Sequence, residues 1–92
     1  MTKKSEKFIF VFASNYHGYY IEDLLSRHNV ENSLRKAPRA IGRSCNTAIY
    51  INEHDYEKAI KLMNQAKVKP QEVYEVMWEG SLATYKKIKG KE

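Results

Sequence analysis

Apolar and polar positions divide the chain into strand-length and helix-length segments. Phe8-Ile9-Phe10-Val11-Phe12-Ala13 is an unbroken aromatic and β-branched run, the pattern of a strand buried on both faces. Ser14 and Asn15 follow it, and both are good helix N-caps. Tyr20, Ile21, Leu24, Leu25 and His28 then recur at helical spacing, and Asn29 suits the left-handed residue that ends a helix. From Val30 to Lys36 only Val30 and Leu34 are apolar, which predicts an edge strand. Past a turn from Pro38 to Cys45, Thr47-Ala48-Ile49-Tyr50-Ile51 predicts a second buried strand. The segment Asp55 to Ala66 predicts a helix with the apolar stripe Tyr56, Ala59, Ile60, Met63 and Ala66. Val73 to Trp78 alternates loosely and predicts a last strand, broken by Gly80.

The predicted order, β-α-β-β-α-β, is the ferredoxin-like α+β arrangement: a four-stranded antiparallel sheet with two helices on one face. The first and third strands, the most apolar, are expected to form its central pair. At 92 residues there is room for one domain. It is expected over residues 7–79, between a basic tail at 1–6 and a basic tail at 80–92. The latter would hold at most a short helical turn around Leu82, Tyr85 and Ile88. Gly18 stands out as a weak point within the first helix, costing about 0.5–1 kcal/mol relative to alanine.

Charge changes this picture little. The formal net charge is +5, but Lys3, Lys4 and Lys7 open the chain and Lys86, Lys87, Lys89 and Lys91 close it, as solvated tails would. The Phe8–Ala13 run is too short for a membrane span or a signal sequence, so a soluble cytoplasmic protein is expected. Nucleic-acid binding is a distant alternative. Phe8, Phe10 and Phe12 share a face, but the third strand lacks the aromatic pattern of RNA-binding sheets. One cysteine and three scattered histidines give no metal-ligand spacing. A single cysteine also excludes an internal disulfide and suits a reducing compartment. Paired carboxylates, a Gly-rich phosphate loop and a Ser-His-Asp pattern are all absent from the sequence, which argues against a conventional hydrolase or transferase.

The chemical signal is the stretch Pro38-Arg39-Ala40-Ile41-Gly42-Arg43-Ser44-Cys45-Asn46. It holds the one thiol, and nearby cations favour thiolate over thiol. The expected topology puts this turn at the end of the sheet where the first helix begins. Cys45 should then lie near Ser14, Asn15, Tyr16 and His17, where a helix N-terminus stabilises an anion. The candidate set is Cys45 as the reactive group, with Arg39, Arg43, Ser44, Asn46, Ser14, Asn15 and His17 stabilising its anion. No metal is expected.

Those residues carry a resemblance. Pro38-Arg39, Ile41 and Ser44-Cys45, followed by Ala48-Ile49-Tyr50-Ile51, resemble the selenium/sulfur carrier protein-like family of small bacterial proteins. Val11-Phe12, Ser14, Leu24-Leu25 and Val73-Tyr74 agree with it, and the likeness covers about residues 7 to 78. The resemblance implies that Cys45 carries sulfur or selenium as a persulfide or perselenide. It further implies a donor such as a cysteine desulfurase, an acceptor enzyme and no external cofactor, in a carrier and not a self-contained enzyme. Selenide capture after oxidation of Cys45 is a variant of the same scheme. Three positions depart from the family: Asn46 replaces its usual glycine, Tyr16 occupies the place of a histidine that here falls at His17, and Gly18 replaces alanine. The alternative reading is a regulatory module that binds a small ligand or a protein, dimeric through the second face of its sheet.

Overall fold

The computed structural model describes residues 5–41 and 47–90. β1 (Glu6–Phe12), α1 (Asn15–Arg27), β2 (Asn32–Lys36), β3 (Thr47–Asn52), α2 (Tyr56–Ala66) and β4 (Glu72–Glu79) follow the expected order, and β5 (Leu82–Gly90) comes last. The sheet has five strands in the order β2-β3-β1-β4-β5, and every pairing is antiparallel. β1 lies at its centre with β3 beside it, as their apolar runs require. β2 is an edge, as its polar pattern predicts.

The expectations of four strands and of a tail after residue 79 are corrected by β5. Gly80 has φ +65° and is the first of two turn residues, Gly80-Ser81, between the paired Glu79 and Leu82. Positive φ at that position is what a tight two-residue hairpin needs. Glu75 faces Lys86 across the hairpin, and the Lys87 ammonium lies 3.5 Å from the Glu72 carboxylate. Val73 pairs with Lys89 and Tyr74 with Lys87, so Ile88 is an inserted bulge residue.

Successive side chains of β1 enter opposite cores, the direct consequence of the strand's period of two. Phe10 and Phe12 join Ile49, Ile51 and Val73 beneath Ile21 and Leu25 of α1 and Ala59, Leu62 and Met63 of α2. The Phe8 ring stacks on Tyr56 with centroids 4.1 Å apart. These three phenylalanines therefore pack against helices and offer no exposed platform for bases. Leu62 belongs to this core as well, although the apolar stripe expected for α2 passes beside it.

Ile9 and Val11 face the other way, with Ala48, Tyr50, Tyr74 and Val76. Among the described residues, neither α1 nor α2 contributes to this second core. Ala37 and Ile41 from the segment after β2, and Trp78, Ala83 and Tyr85 from the β4–β5 hairpin, pack against it instead. The face on which a second copy was expected is thus buried within one chain: Ile9 is 0% exposed and Tyr50 2%.

Among the described residues, the buried carboxylate lies on this side of the sheet. Glu6, 5% exposed, accepts from Nη2 and Nη1 of the Arg35 guanidinium, at 2.8 and 3.2 Å. The hydrogen bond to Glu6 holds the Arg35 guanidinium above its ordinary pKa. Arg35 also lies over the Tyr50 ring, 3.9 Å from its centroid. The Tyr50 hydroxyl donates to the Lys36 carbonyl at 2.7 Å, and burial pushes Tyr50 up to about 12, with Arg35 opposing. The unfolded phenol ionises near pH 10. The stability contributed by keeping it neutral is therefore complete below about pH 10 and is lost as pH rises toward 12. Tyr50→Phe is expected to flatten that alkaline fall in urea-unfolding free energies. Parallel slopes for variant and wild type would refute the assignment.

Candidate functional site

The end of the sheet where β1 stops and β3 starts is also where α1 begins. Ser14 caps the helix: its backbone is extended and its hydroxyl accepts from the Tyr16 N–H at 3.1 Å. The first turn of α1 carries no acidic residue, so nothing there offsets the positive end of the helix dipole.

Two contacts set this helix start against β3. The Thr47 hydroxyl donates to Asn15 Oδ1. One turn along, Gly18 lies so close that a β-carbon on it would stand 2.7 Å from Thr47 Cγ2 and 3.5 Å from Leu34 Cδ1. The glycine that reads as a weak point in the sequence is what lets the helix approach here. Thr47 is β-branched and engaged with Asn15, so it has little freedom to move aside. Gly18→Val is accordingly expected to cost about 1–3 kcal/mol through overpacking. Denaturant unfolding would measure it, and an unchanged midpoint would show that the approach is not constrained.

Thr47 lies two residues after Cys45. Asn15, Tyr19, Leu34, Arg35, Lys36 and Thr47 line a cleft of about 250 Å³ beside it. On the other side of residues 42–46, Arg39 opens a 3₁₀ turn, Arg39–Ile41, and is exposed. The Ile41 N–H donates to the Pro38 carbonyl at 3.1 Å, and its side chain packs into the second core. The chain is thus anchored at Ile41 and again at Thr47. Of the expected site residues, Arg43, Ser44, Cys45 and Asn46 lie outside the described residues.

Ser14 and Asn15 therefore stand where the topology predicts, beside the start of β3. His17 does not share their side of α1. Two residues on from Asn15 and so on another flank of the helix, it lines a separate cleft of about 420 Å³ with Ala13, Met63, Asn64, Lys69 and Val73. Its ring is 5.9 Å from that of Tyr16. His28 caps the end of α1 and His54 begins the 3₁₀ turn before α2, both remote from Asn15 along the chain. Among the described residues, no three of His, Cys, Asp and Glu group as metal ligands would, and no helix is long and apolar enough to cross a membrane.

Sequence reasoning names Gly18 only as a weak point and a departure from the family, and passes over Thr47 and Lys36 at this place. The available signal was spacing: Asn15 and Gly18 are three residues apart, hence on one helix face, and that face must meet whatever strand lies beside it.

Searches of curated proteins and of solved structures return no match to the chain. A family model described as "Putative Se/S carrier protein-like" matches residues 7–75, a span that runs from β1 into β4 and includes Cys45. The chain belongs to this Se/S carrier protein-like family.

Proposed function

We propose that the protein carries one sulfur or selenium atom on Cys45. The Cys45 thiolate attacks the terminal chalcogen of a donor's persulfide or perselenide. A new bond forms from Cys45 Sγ to that atom, and the donor's own sulfur–chalcogen bond breaks. The electron pair leaves with the donor cysteine as its thiolate, and Cys45-S-S⁻ or Cys45-S-Se⁻ results. An acceptor thiolate reverses the sequence and regenerates Cys45. The exchange is redox-neutral and needs no cofactor, only a donor such as a cysteine desulfurase and an acceptor enzyme.

The observation that carries this reading is the seating of the α1 start on β3 through Asn15, Gly18 and Thr47. Thr47 follows Cys45 by two residues in the chain. A helix start without acidic residues, capped by Ser14, is a favourable neighbour for a thiolate and for the persulfide anion that replaces it. Arg39 and Arg43 add charge of the right sign, and Ser44 and Asn46 flank the thiol as hydrogen-bonding residues. The family supports a chalcogen as the cargo. His17 has the weaker claim, since it lines the other cleft.

The test is the rate of Cys45 alkylation against pH. An apparent pKa well below the ordinary thiol value of about 8.5 is expected. A value at or above it would overturn the stabilised thiolate. A second reading, a small-ligand module, has one observation in its favour: the 420 Å³ cleft, with Met63 and Val73 in its walls and His17, Asn64 and Lys69 as polar groups.

A further inference from the structure

We infer that the start of α1 and the end of β2 form the docking surface for the chalcogen donor, and that the donor presents its persulfide cysteine on an acidic segment. The inference rests on the carrier reading and names the partner chemistry that site would accept.

Three tyrosines stand on the solvent side of α1 within its first two turns: Tyr16 is 73% exposed, Tyr19 59% and Tyr20 40%. Tyr16 is three residues from Tyr19 and four from Tyr20, so the rings form one patch on the helix surface. Nothing in folding calls for them there, because α1 buries Gly18, Ile21 and Leu25 against the rest of the chain. Tyrosine is the residue of protein interfaces, offering a large rigid face with a polar tip at low entropy cost.

Charge states what the patch would meet. Tyr19 and Lys36 line the same cleft beside Thr47, and Arg39 follows three residues on. Lys36 and Arg39 are both exposed, and neither forms an ion pair among the described residues. The positive end of α1 has the same sign. The acidic residues of α1, Glu22 and Asp23, come in its second half, after the tyrosines, and Asp23 is paired with Arg27 at 3.0 Å. On the far edge of the sheet, Lys87 has Glu72 as a partner. An acidic segment with the reacting cysteine at its tip is complementary to this aromatic and cationic rim. The same field would repel a basic one.

The test uses three persulfide donors: a synthetic peptide with acidic residues flanking its cysteine, one of equal length with lysines there, and an uncharged small thiol. Loading of Cys45 is followed by mass. Wild type is expected to load from the acidic peptide at least about tenfold faster than from the lysine peptide, with the difference shrinking as salt rises. Lys36→Glu with Arg39→Glu should reverse the preference. Tyr16→Ala with Tyr19→Ala should slow both peptides while leaving the small donor unchanged. Equal rates from the two peptides, or a reversal variant with wild-type preference, overturn the docking surface and leave the carrier reading standing. Failure of wild type to load from any of the three, the small donor included, overturns both.

Discussion

Cys45→Ser is expected to abolish chalcogen loading. Wild-type protein incubated with a desulfurase and cysteine, or selenocysteine, should gain the mass of one sulfur or one selenium atom. The variant should gain nothing. A serine oxygen in the same place is not ionised near neutrality and forms no persulfide, so the effect is total and not graded. The variant must retain the wild-type unfolding transition for the comparison to count, which circular dichroism on the same samples would establish. Equal loading of variant and wild type would remove Cys45 from the mechanism.

The second large effect lies in the fold. Arg35→Met is expected to destabilise the protein by about 3–5 kcal/mol, because it leaves the Glu6 carboxylate buried without its guanidinium partner. Glu6 is 5% exposed and receives two hydrogen bonds from Arg35, at 2.8 and 3.2 Å. A loss of that size should lower the Tm by more than about 12 °C in a chain this short. Glu6→Leu combined with Arg35→Met should recover most of it, since an apolar pair of similar volume avoids the desolvation penalty of the ions. A single variant costing less than about 1 kcal/mol would mean that the pair is not what closes this side of the sheet.

That ion pair matters to the site through its strand. Arg35 and Lys36 end β2, and the Tyr50 hydroxyl holds the Lys36 carbonyl. Glu6, Arg35 and Tyr50 therefore fix the strand from which the chain departs toward Cys45, while Asn15 and Thr47 fix the start of the strand to which it returns.

The sheet's first four strands and both helices were legible from their apolar patterns. Phe8 to Phe12 alternates between two cores that are both buried, which a continuous apolar run signals. Ile21 and Leu25 recur at helical spacing and are buried where expected. β5 was not legible from its own apolar pattern: the bulge at Ile88 shifts its alternation, and its lysines resemble a solvated tail. The signal lay in Gly80-Ser81, a two-residue turn pair set between two runs, and in the glutamates of β4 that stand opposite those lysines. The burial of the second sheet face was hidden for the same reason, since the cover is supplied by that hairpin and by Ile41. At the site, the meeting of the α1 start with β3 followed from topology alone. The divergence of His17 from Asn15 required the helix rotation, and the need for Gly18 required the distance to Thr47.

A carrier must give up what it takes. The most direct measurement loads the protein from a desulfurase, removes the donor, adds a thiol acceptor and follows the mass of both. The account predicts one extra chalcogen on the tryptic peptide that contains Cys45, lost when the acceptor is added and recovered on the acceptor. A protein that gains no mass, or keeps it in the presence of acceptor, would contradict it.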